Sequence, residues 1–198
     1  MPRRLSILLT GVGGQGIITL ASTIAKAALL HGEKALVAET HGLSQRGGSV
    51  EVHLRMGNVY SPLIAPGDAD VVLGLELIEA ARKAHYTSEN GIILTADIIL
   101  RPAVPGVKVP SREELLNAIE EATGRKPLLV PARELALKAG GTIYSNMVMF
   151  GALLATGRLE GFVDRSDAEK VIGSLRKSEN NLKAFKLGFD YCRSACTS

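Results

Sequence analysis

The sequence has few of the residues from which redox and nucleic-acid-binding sites are built. It contains only two cysteines, Cys192 and Cys196, and two thiolates cannot by themselves complete a zinc or iron-sulfur site. Aromatic residues make up 4% of the chain, and 23 basic residues nearly balance 20 acidic ones without forming a long basic run. We therefore expect no metal site on this chain and no nucleic-acid partner. The cysteines have a spacing that permits one helical face, and we interpret them as incidental thiols on a frayed tail.

Long hydrophobic runs are also lacking. No stretch approaches the length of a membrane span, and the short apolar run after Arg4 continues directly into a glycine loop. We interpret that run as a strand and not as a targeting signal, and we expect a cytoplasmic protein. Because 46% of the residues are hydrophobic and no repeat or linker divides the chain, we predict a single domain over residues 1–198.

Apolar spacing predicts strands that alternate with helices, followed by a helical end. The predicted strands are residues 5–10, 34–39, 50–56, 68–75, 91–95 and 128–130. One predicted helix begins at residue 17, and the others cover residues 76–85, 112–122, 132–139, 145–156, 166–174 and 178–191. Ser111, with Glu114 three residues later, predicts a capping box at the start of one helix. The pattern indicates an open, mostly parallel α/β sheet of Rossmann-like type. One strand runs in a mixed direction, helices cover both faces, and the C-terminal end is helical.

Two segments carry more specific expectations. In residues 50–56 apolar residues alternate with Glu51, His53 and Arg55, which predicts a strand with one solvated face in an antiparallel or edge position.

The helix over residues 145–156 is more apolar than one buried face requires. We expect Met147, Met149, Phe150 and Leu153 to pack against a larger partner or a second copy of this chain, with ordinary core burial as the alternative.

The glycine loop is the first candidate site. Gly11, Gly13 and Gly16 fit the pattern G-x-G-x-x-G between a strand and a helix, so free backbone N–H groups and the helix dipole favour a phosphate or pyrophosphate. The alternative is a tight turn with no ligand. If the ligand were a nicotinamide cofactor, Glu39 at the end of the second strand would bind the ribose, which would indicate a stand-alone NAD(P)-dependent oxidoreductase.

A second polar, glycine-bearing loop follows Glu39. His41, Ser44, Gln45, Arg46 and Gly47 would lie at the carboxyl edge of the second strand, where ligands bind in open α/β sheets. Arg46 can pair with a carboxylate or a phosphate. A solvated surface hairpin is the alternative. Ser145, as the N-cap of a late helix, and its neighbour Asn146 offer a further polar contact at the same edge.

The two loop strings together carry a resemblance. GVGGQG followed by IITLA, and then ETHGLSQRGGSV, resemble the gamma-type subunits of the 2-oxoacid:ferredoxin oxidoreductases. The second string is most similar to the small subunit of the indolepyruvate type. The resemblance extends loosely over the whole chain, and its specific part lies in residues 11–21 and 39–50.

The resemblance implies an enzyme that converts an aryl 2-oxoacid and coenzyme A to an acyl-CoA and carbon dioxide while it reduces ferredoxin. It implies that thiamine diphosphate and [4Fe-4S] clusters reside on a large partner subunit, in agreement with the absence of a Gly-Asp-Gly thiamine signature here. Ferredoxin would bind to the assembled complex, and the isolated chain could form a homodimer.

On this basis no catalytic residue is expected on the chain. The glycine loop would face the phosphates of coenzyme A or help to close the thiamine cavity, and the loop around Gln45-Arg46-Gly47 would lie at the interface with the large subunit. The expected ligand-binding residues are Gly11, Gly13, Gly14, Gln15, Gly16, Glu39, His41, Ser44, Gln45, Arg46 and Gly47. A pure scaffold, in which both loops are structural, is a further alternative.

Overall fold

The sheet occupies the centre of the molecule. The computed structural model describes residues 3–41, 48–101, 106 and 108–196. Within these residues one six-stranded sheet has the order β2-β3-β1-β4-β5-β6. The strands are β1 (Arg4–Val12), β2 (Ala35–His41), β3 (Ser49–Gly57), β4 (Ala69–Gly74), β5 (Thr87–Ala96) and β6 (Leu128–Val130). β1, β4, β5 and β6 are parallel, whereas β3 is antiparallel to both of its neighbours, so the mostly parallel sheet with one mixed-direction strand is confirmed.

Helices cover both faces of this sheet, as predicted. Among the described residues they are α1 (Ile17–Leu30), α2 (Leu77–Arg82), α3 (Arg112–Thr123), α4 (Ala132–Lys138), α5 (Ser145–Ala155), α6 (Arg165–Gly173) and α7 (Ser178–Ala195). Ile7 and Leu9 of β1 pack into one core with α1 and α4 to α7, while Leu8 packs into a second core with α2 and α3. This division follows from the alternation of side chains along a strand. Among the described residues no helix is long and apolar enough to cross a membrane.

The helix ends confirm some of the predicted signals and correct one. The capping box is present, since Glu114 N donates to Ser111 Oγ at 3.2 Å and Ser111 N donates to Glu114 Oε2 at 2.7 Å. Ser145 is not an N-cap. Tyr144 holds that position, and the Ser145 hydroxyl donates to Thr142 O at 2.8 Å, because a short 3₁₀ turn over Thr142–Tyr144 leads straight into α5.

The expectation that α5 offers a docking face is wrong. Met147, Met149, Phe150 and Leu153 are all buried within one chain. They are enclosed because α5 lies between the sheet and α7, and Gly151 lets the backbone of α7 approach closely. A helix that is buried on all sides needs no polar face, so burial within the chain explains the uniform apolar composition of α5, and no partner protein is needed to explain it.

The solvated face predicted for β3 is also wrong, although its antiparallel pairing is confirmed. Glu51 and His53 are buried, and β3 lies between β2 and β1 and not at an edge. His53 Nδ1 accepts a hydrogen bond from Ile64 N at 3.0 Å, so its Nε2 donates to Glu51 Oε1 at 2.8 Å. Lys83 pairs with the other oxygen of the same carboxylate. Polar side chains tolerate burial here because each of them has a partner.

The two cysteines differ from the expectation as well. α7 continues through Cys192 as far as Ala195, and Cys192 and Cys196 are buried and joined by a disulfide bond. The helical spacing brings the two sulfur atoms together, and both side chains belong to the core on the α1 side of the sheet. The end of the chain described by the structure is therefore packed and not frayed.

Candidate functional site

The glycine loop connects β1 to α1 at the carboxyl edge of the parallel strands. Gly14 and Gly16 have φ angles of 98° and 78°, which side chains with a Cβ atom adopt only with strain. Gly16 is the N-cap of α1, and no side chain caps the helix there. The first N–H groups of α1 therefore remain directed at the loop, as an anion site requires.

Gln15 folds back into the loop. Its Oε1 accepts a hydrogen bond from Val12 N at 2.7 Å, and its Nε2 donates to Leu75 O at 2.8 Å. The side-chain amide thus joins the carboxyl ends of β1 and β4. A Cβ atom on Gly11 would lie 2.6 Å from Gln15 Oε1. The first glycine of the motif consequently makes room for this amide, and part of the crevice between the two strands is filled by the chain itself.

The end of the second motif loop lies against the first. Gly13 N donates to Gly48 O at 3.0 Å, and Ser49 Oγ donates to the buried Glu79 of α2 at 2.5 Å. These contacts anchor the start of β3 beside the glycine loop. Ser44, Gln45, Arg46 and Gly47 lie outside the described residues, and for His41 the structure describes only the backbone, as the last residue of β2.

Glu39 lies farther from the glycine loop than a ribose ligand would require. It is on the edge strand β2 and pairs with Val52 of β3, which in turn pairs with Leu9 of β1. Two strand spacings of about 4.8 Å therefore separate Glu39 from β1. In a dinucleotide-binding sheet the corresponding strand lies next to the first one. The intervening strand β3 counts against Glu39 as a nicotinamide-cofactor ligand.

A groove runs along the carboxyl edge of the sheet. It consists of two adjoining hollows of about 320 and 330 Å³, both of which are lined by Gly14 and Gln15. The first hollow extends over the ends of β4 and β5 toward Arg133, and the second extends toward Arg176 and Lys177. We call the two hollows together the carboxyl-edge groove.

The charges around this groove are of one sign. Arg133, Arg176 and Lys177 have no carboxylate partner among the described residues, and they flank the glycine loop from two sides. α1 begins at the groove without a side-chain cap, whereas at the start of α5 the N–H groups of Ser145 and Met147 donate to Thr142 O and Asn146 Oδ1. The N-terminus of α1 and three cations therefore favour negative charge in the same groove.

Asn146 joins the two helix starts. Its Nδ2 donates to Gly16 O at 3.2 Å, and its Oδ1 accepts from Met147 N at 2.9 Å. The segment was predicted to offer a polar contact at this edge, and in the structure the amide of Asn146 lies there, bonded to Gly16 O. The three cations were not predicted, because they come from parts of the chain that are distant from either motif.

Buried carboxyl groups lie behind the groove on the α2 face. Glu76 follows β4, and its carboxylate accepts hydrogen bonds from the N–H groups of Ile78 and Glu79 at the start of α2. Burial raises the pKa of Glu76 in spite of these bonds. The pKa of Glu51 falls to about 2, chiefly because His53 donates to its carboxylate and secondarily because Lys83 pairs with it. The two carboxyl groups therefore respond to their surroundings in opposite directions.

A separate charged group lies at the other end of α1. His31 Nδ1 is 2.8 Å from Asp167 Oδ2 and 3.8 Å from Asp164 Oδ2, and the arrangement joins the end of α1 to the start of α6. A helix of this length places the group about 20 Å from the groove. The contacts of His31 with Asp164 and Asp167 account for the three side chains, and we assign no ligand to them.

Comparison with known proteins gives consistent matches over nearly the whole chain. The family model for pyruvate ferredoxin/flavodoxin oxidoreductase matches residues 6–191. The chain is 40% identical over 193 residues to the indolepyruvate oxidoreductase subunit IorB of Archaeoglobus fulgidus, with 94% of each chain covered.

Two solved structures share the fold. One is the gamma subunit of the keto/oxoacid ferredoxin oxidoreductase from Geobacter sulfurreducens, with a TM-score of 0.68 and 23% identity over 96% of this chain and 99% of that one. The other is the 2-oxoglutarate:ferredoxin oxidoreductase of Magnetococcus marinus with 2-oxoglutarate, coenzyme A and succinyl-CoA bound. Its TM-score is 0.71 at 20% identity, and the match covers 98% of this chain and 32% of that one.

Proposed function

Because the chain belongs to the pyruvate ferredoxin/flavodoxin oxidoreductase family, we propose that it is the small subunit of an indolepyruvate-type 2-oxoacid:ferredoxin oxidoreductase that acts in the cytoplasm. The complete enzyme would convert an aryl 2-oxoacid and coenzyme A to an acyl-CoA and carbon dioxide and pass the electrons to ferredoxin. The 40% identity to an indolepyruvate oxidoreductase subunit over nearly the full length of both chains supports this substrate class.

The cysteines of this chain support a division of labour between the subunits. A [4Fe-4S] cluster requires cysteine thiolates, four in the common case, whereas the chain has two cysteines, which are paired with each other. The proposal therefore assigns the clusters to the large subunit, and it assigns thiamine diphosphate there as well, as the resemblance to the 2-oxoacid:ferredoxin oxidoreductases implies. The small subunit contributes a binding surface, and it is inactive on its own.

Coenzyme A is the ligand that we assign to the carboxyl-edge groove. The observation that carries this assignment is the convergence of the uncapped N-terminus of α1 with Arg133, Arg176 and Lys177. The pyrophosphate and the ribose phosphate of coenzyme A are separate anionic groups, and the groove offers positive charge on both sides of the glycine loop. A bound coenzyme A would deliver its thiol to the acyl group held on the partner.

Exposed apolar residues next to the groove support docking of the large subunit at this edge. Ile18 is 42% exposed and Ile143 is 67% exposed, and Ile143 also lines the groove. An interface over this edge would bury both side chains and exclude water from the bound thioester. Ile143→Glu should therefore weaken co-purification with the large subunit, whereas Leu137→Glu, at another exposed apolar position, tests whether any added charge has the same effect.

Kinetics of the assembled enzyme test the coenzyme A assignment. The double variant Arg133→Gln/Arg176→Gln should raise the KM for coenzyme A by roughly tenfold or more and leave the KM for the 2-oxoacid unchanged, since charged hydrogen bonds to phosphate are strong. Lys186→Gln/Arg193→Gln removes two exposed cations from α7 and serves as the matched control. An unchanged KM for coenzyme A in the first variant would contradict the assignment.

The stand-alone NAD(P) enzyme remains a distinct candidate with its own test. It predicts that NADH binds tightly to the isolated chain, which quenching or enhancement of NADH fluorescence would detect. The position of Glu39 beyond β3 favours the opposite result. Tight NADH binding would replace the proposal.

A further inference from the structure

A cavity larger than either hollow of the groove lies at the opposite edge of the sheet. It has a volume of about 530 Å³, and its walls come from the first half of β5, the turn after α3, the start of β6 and the loop after α5. We call it the amino-edge cavity. Along β5 it is lined by residues from Thr87 to Ile93, whereas the carboxyl-edge groove is lined by Ala96. Even Ile93 is three residues from Ala96, which corresponds to roughly 10 Å at about 3.3 Å per strand residue.

The amino-edge cavity is positively charged. Arg125, Lys126 and Arg158 line it, and none of the described lining residues is acidic. Lys126 and Arg158 have no carboxylate partner in the described part of the chain. Three cations in one concave site repel one another unless an anion is present, so the arrangement favours an anionic ligand.

One of these cations is held in place by the fold. α3 ends at Gly124, whose φ of 69° turns the chain, and Arg125 N then donates to Thr123 Oγ1 at 3.3 Å. Arg125 Nη1 donates to Gly91 O of β5 at 3.0 Å. A guanidinium has further N–H donors, and those not used by Gly91 remain available to a ligand without a loss of side-chain freedom on binding.

Apolar side chains and one threonine complete the lining of the amino-edge cavity. Thr87 lies there, but its Oγ1 is shielded from solvent, and we assign it no contact with a ligand. Ile92, Pro127 and Leu128 supply an apolar wall beside the charges.

From this combination we propose that the amino-edge cavity binds a small organic anion, in which a phosphate or carboxylate head pairs with the three cations and an apolar body lies on Ile92, Pro127 and Leu128. The site is separate from the carboxyl-edge groove and does not depend on the function proposed for that groove. Phenyl phosphate and benzoate are suitable probes, because they share an apolar ring and differ in the head group.

Backbone amide NMR of the full chain tests the proposal. Titration with either probe should shift the signals of Gly91, Arg125 and Leu128, and the probe that binds more tightly identifies the preferred head group. Arg158→Gln should weaken binding by about tenfold, because it removes a charged contact to the head group. Arg125→Gln also removes the bond to Gly91 and is therefore not used.

Arg193→Gln is the matched control, since it removes an exposed cation of α7 and should leave the affinity unchanged. Circular dichroism spectra of all variants verify that they are folded. The proposal is overturned if neither probe shifts these signals, if the shifts appear instead at Gly14 and Gly16, or if Arg158→Gln and Arg193→Gln bind the probes equally well.

Discussion

Replacement of Gly151 by alanine tests the close packing of α5 against α7. A Cβ atom at this position would lie 1.9 Å from Phe185 O and 2.8 Å from Phe189 N. Both are backbone atoms of α7, so no side-chain rotation relieves the contact. In an exposed helix the same substitution would stabilise the protein by about 1 kcal/mol through helix propensity. At Gly151 we expect the opposite sign.

The magnitude follows from the distance that the helices must move. Ordinary van der Waals contact begins near 3.4 Å, so α5 and α7 must separate by more than an ångström. This movement loosens the contact between Phe150 and Phe185, whose ring centroids are 5.2 Å apart. Overpacking of this kind costs about 1–3 kcal/mol, and the upper end applies because backbone is involved. A loss of about 3 kcal/mol lowers the Tm by roughly 6–12 °C for a domain of this size.

Gly173→Ala is the matched control for this substitution. Gly173 is the last residue of α6, and nothing would lie within 4 Å of an added Cβ atom. Its Tm should stay the same or rise slightly. Thermal unfolding followed by circular dichroism measures both variants. If Gly151→Ala unfolds at the wild-type temperature, or if both variants lose stability equally, the packing argument is refuted.

Three further predictions concern the polar groups. The pKa of Glu51, lowered to about 2 by its hydrogen bond from His53 and its pairing with Lys83, implies about 3 kcal/mol of stability that is complete above about pH 4.5 and is lost as the pH falls toward 2. Glu51→Gln should therefore be less stable at pH 7 and lose less on acidification, and urea unfolding between pH 2 and 7 would contradict this if both proteins showed the same pH dependence. Gln15→Ala removes two hydrogen bonds and should lower the free energy of unfolding by about 2 kcal/mol, whereas an unchanged urea midpoint would show that the amide does not stabilise the loop. Asn146→Ala removes the bond to Gly16 O and should raise the KM for coenzyme A in the assembled enzyme by a few-fold with kcat unchanged, and a selective fall in kcat would instead indicate a role in the chemical step.

The fold was largely predictable because its signals are local. Consecutive residues indicate β1, the glycine turn and α1, through an apolar run, the glycines and then apolar residues at helical spacing. The capping box at Ser111 is complete within four residues. Local patterns of this kind determine which element forms. They also indicated the antiparallel strand, since residues 50–56 alternate whereas the run at β4 is almost continuously apolar.

The periodicity of the sequence could not specify whether each face of a strand or helix is buried or exposed to solvent. Alternating Glu51 and His53 look the same in a sequence whether they face water or a buried partner, and the partner Lys83 comes from beyond α2. α5 presents the reverse case, since Phe150 and Met149 gave no sign that α7 would cover them. In both segments the burial is decided by elements distant in the sequence, which periodicity does not report.

The glycine motif at the candidate site shows the same limit, because the motif alone did not reveal which side chain occupies the crevice. A G-x-G-x-x-G pattern ordinarily indicates a crevice kept open for a pyrophosphate, and here the first glycine of the pattern has a different role. Gly11 gives space to the amide of Gln15, which occupies the junction between β1 and β4. An anion that binds at this edge must therefore lie in the hollows on either side of Gln15, toward Arg133 or toward Arg176 and Lys177. A ligand with separate anionic groups satisfies that geometry better than one compact pyrophosphate, and for this reason the partly filled crevice supports the proposed coenzyme A over NAD(H), which carries the pyrophosphate alone.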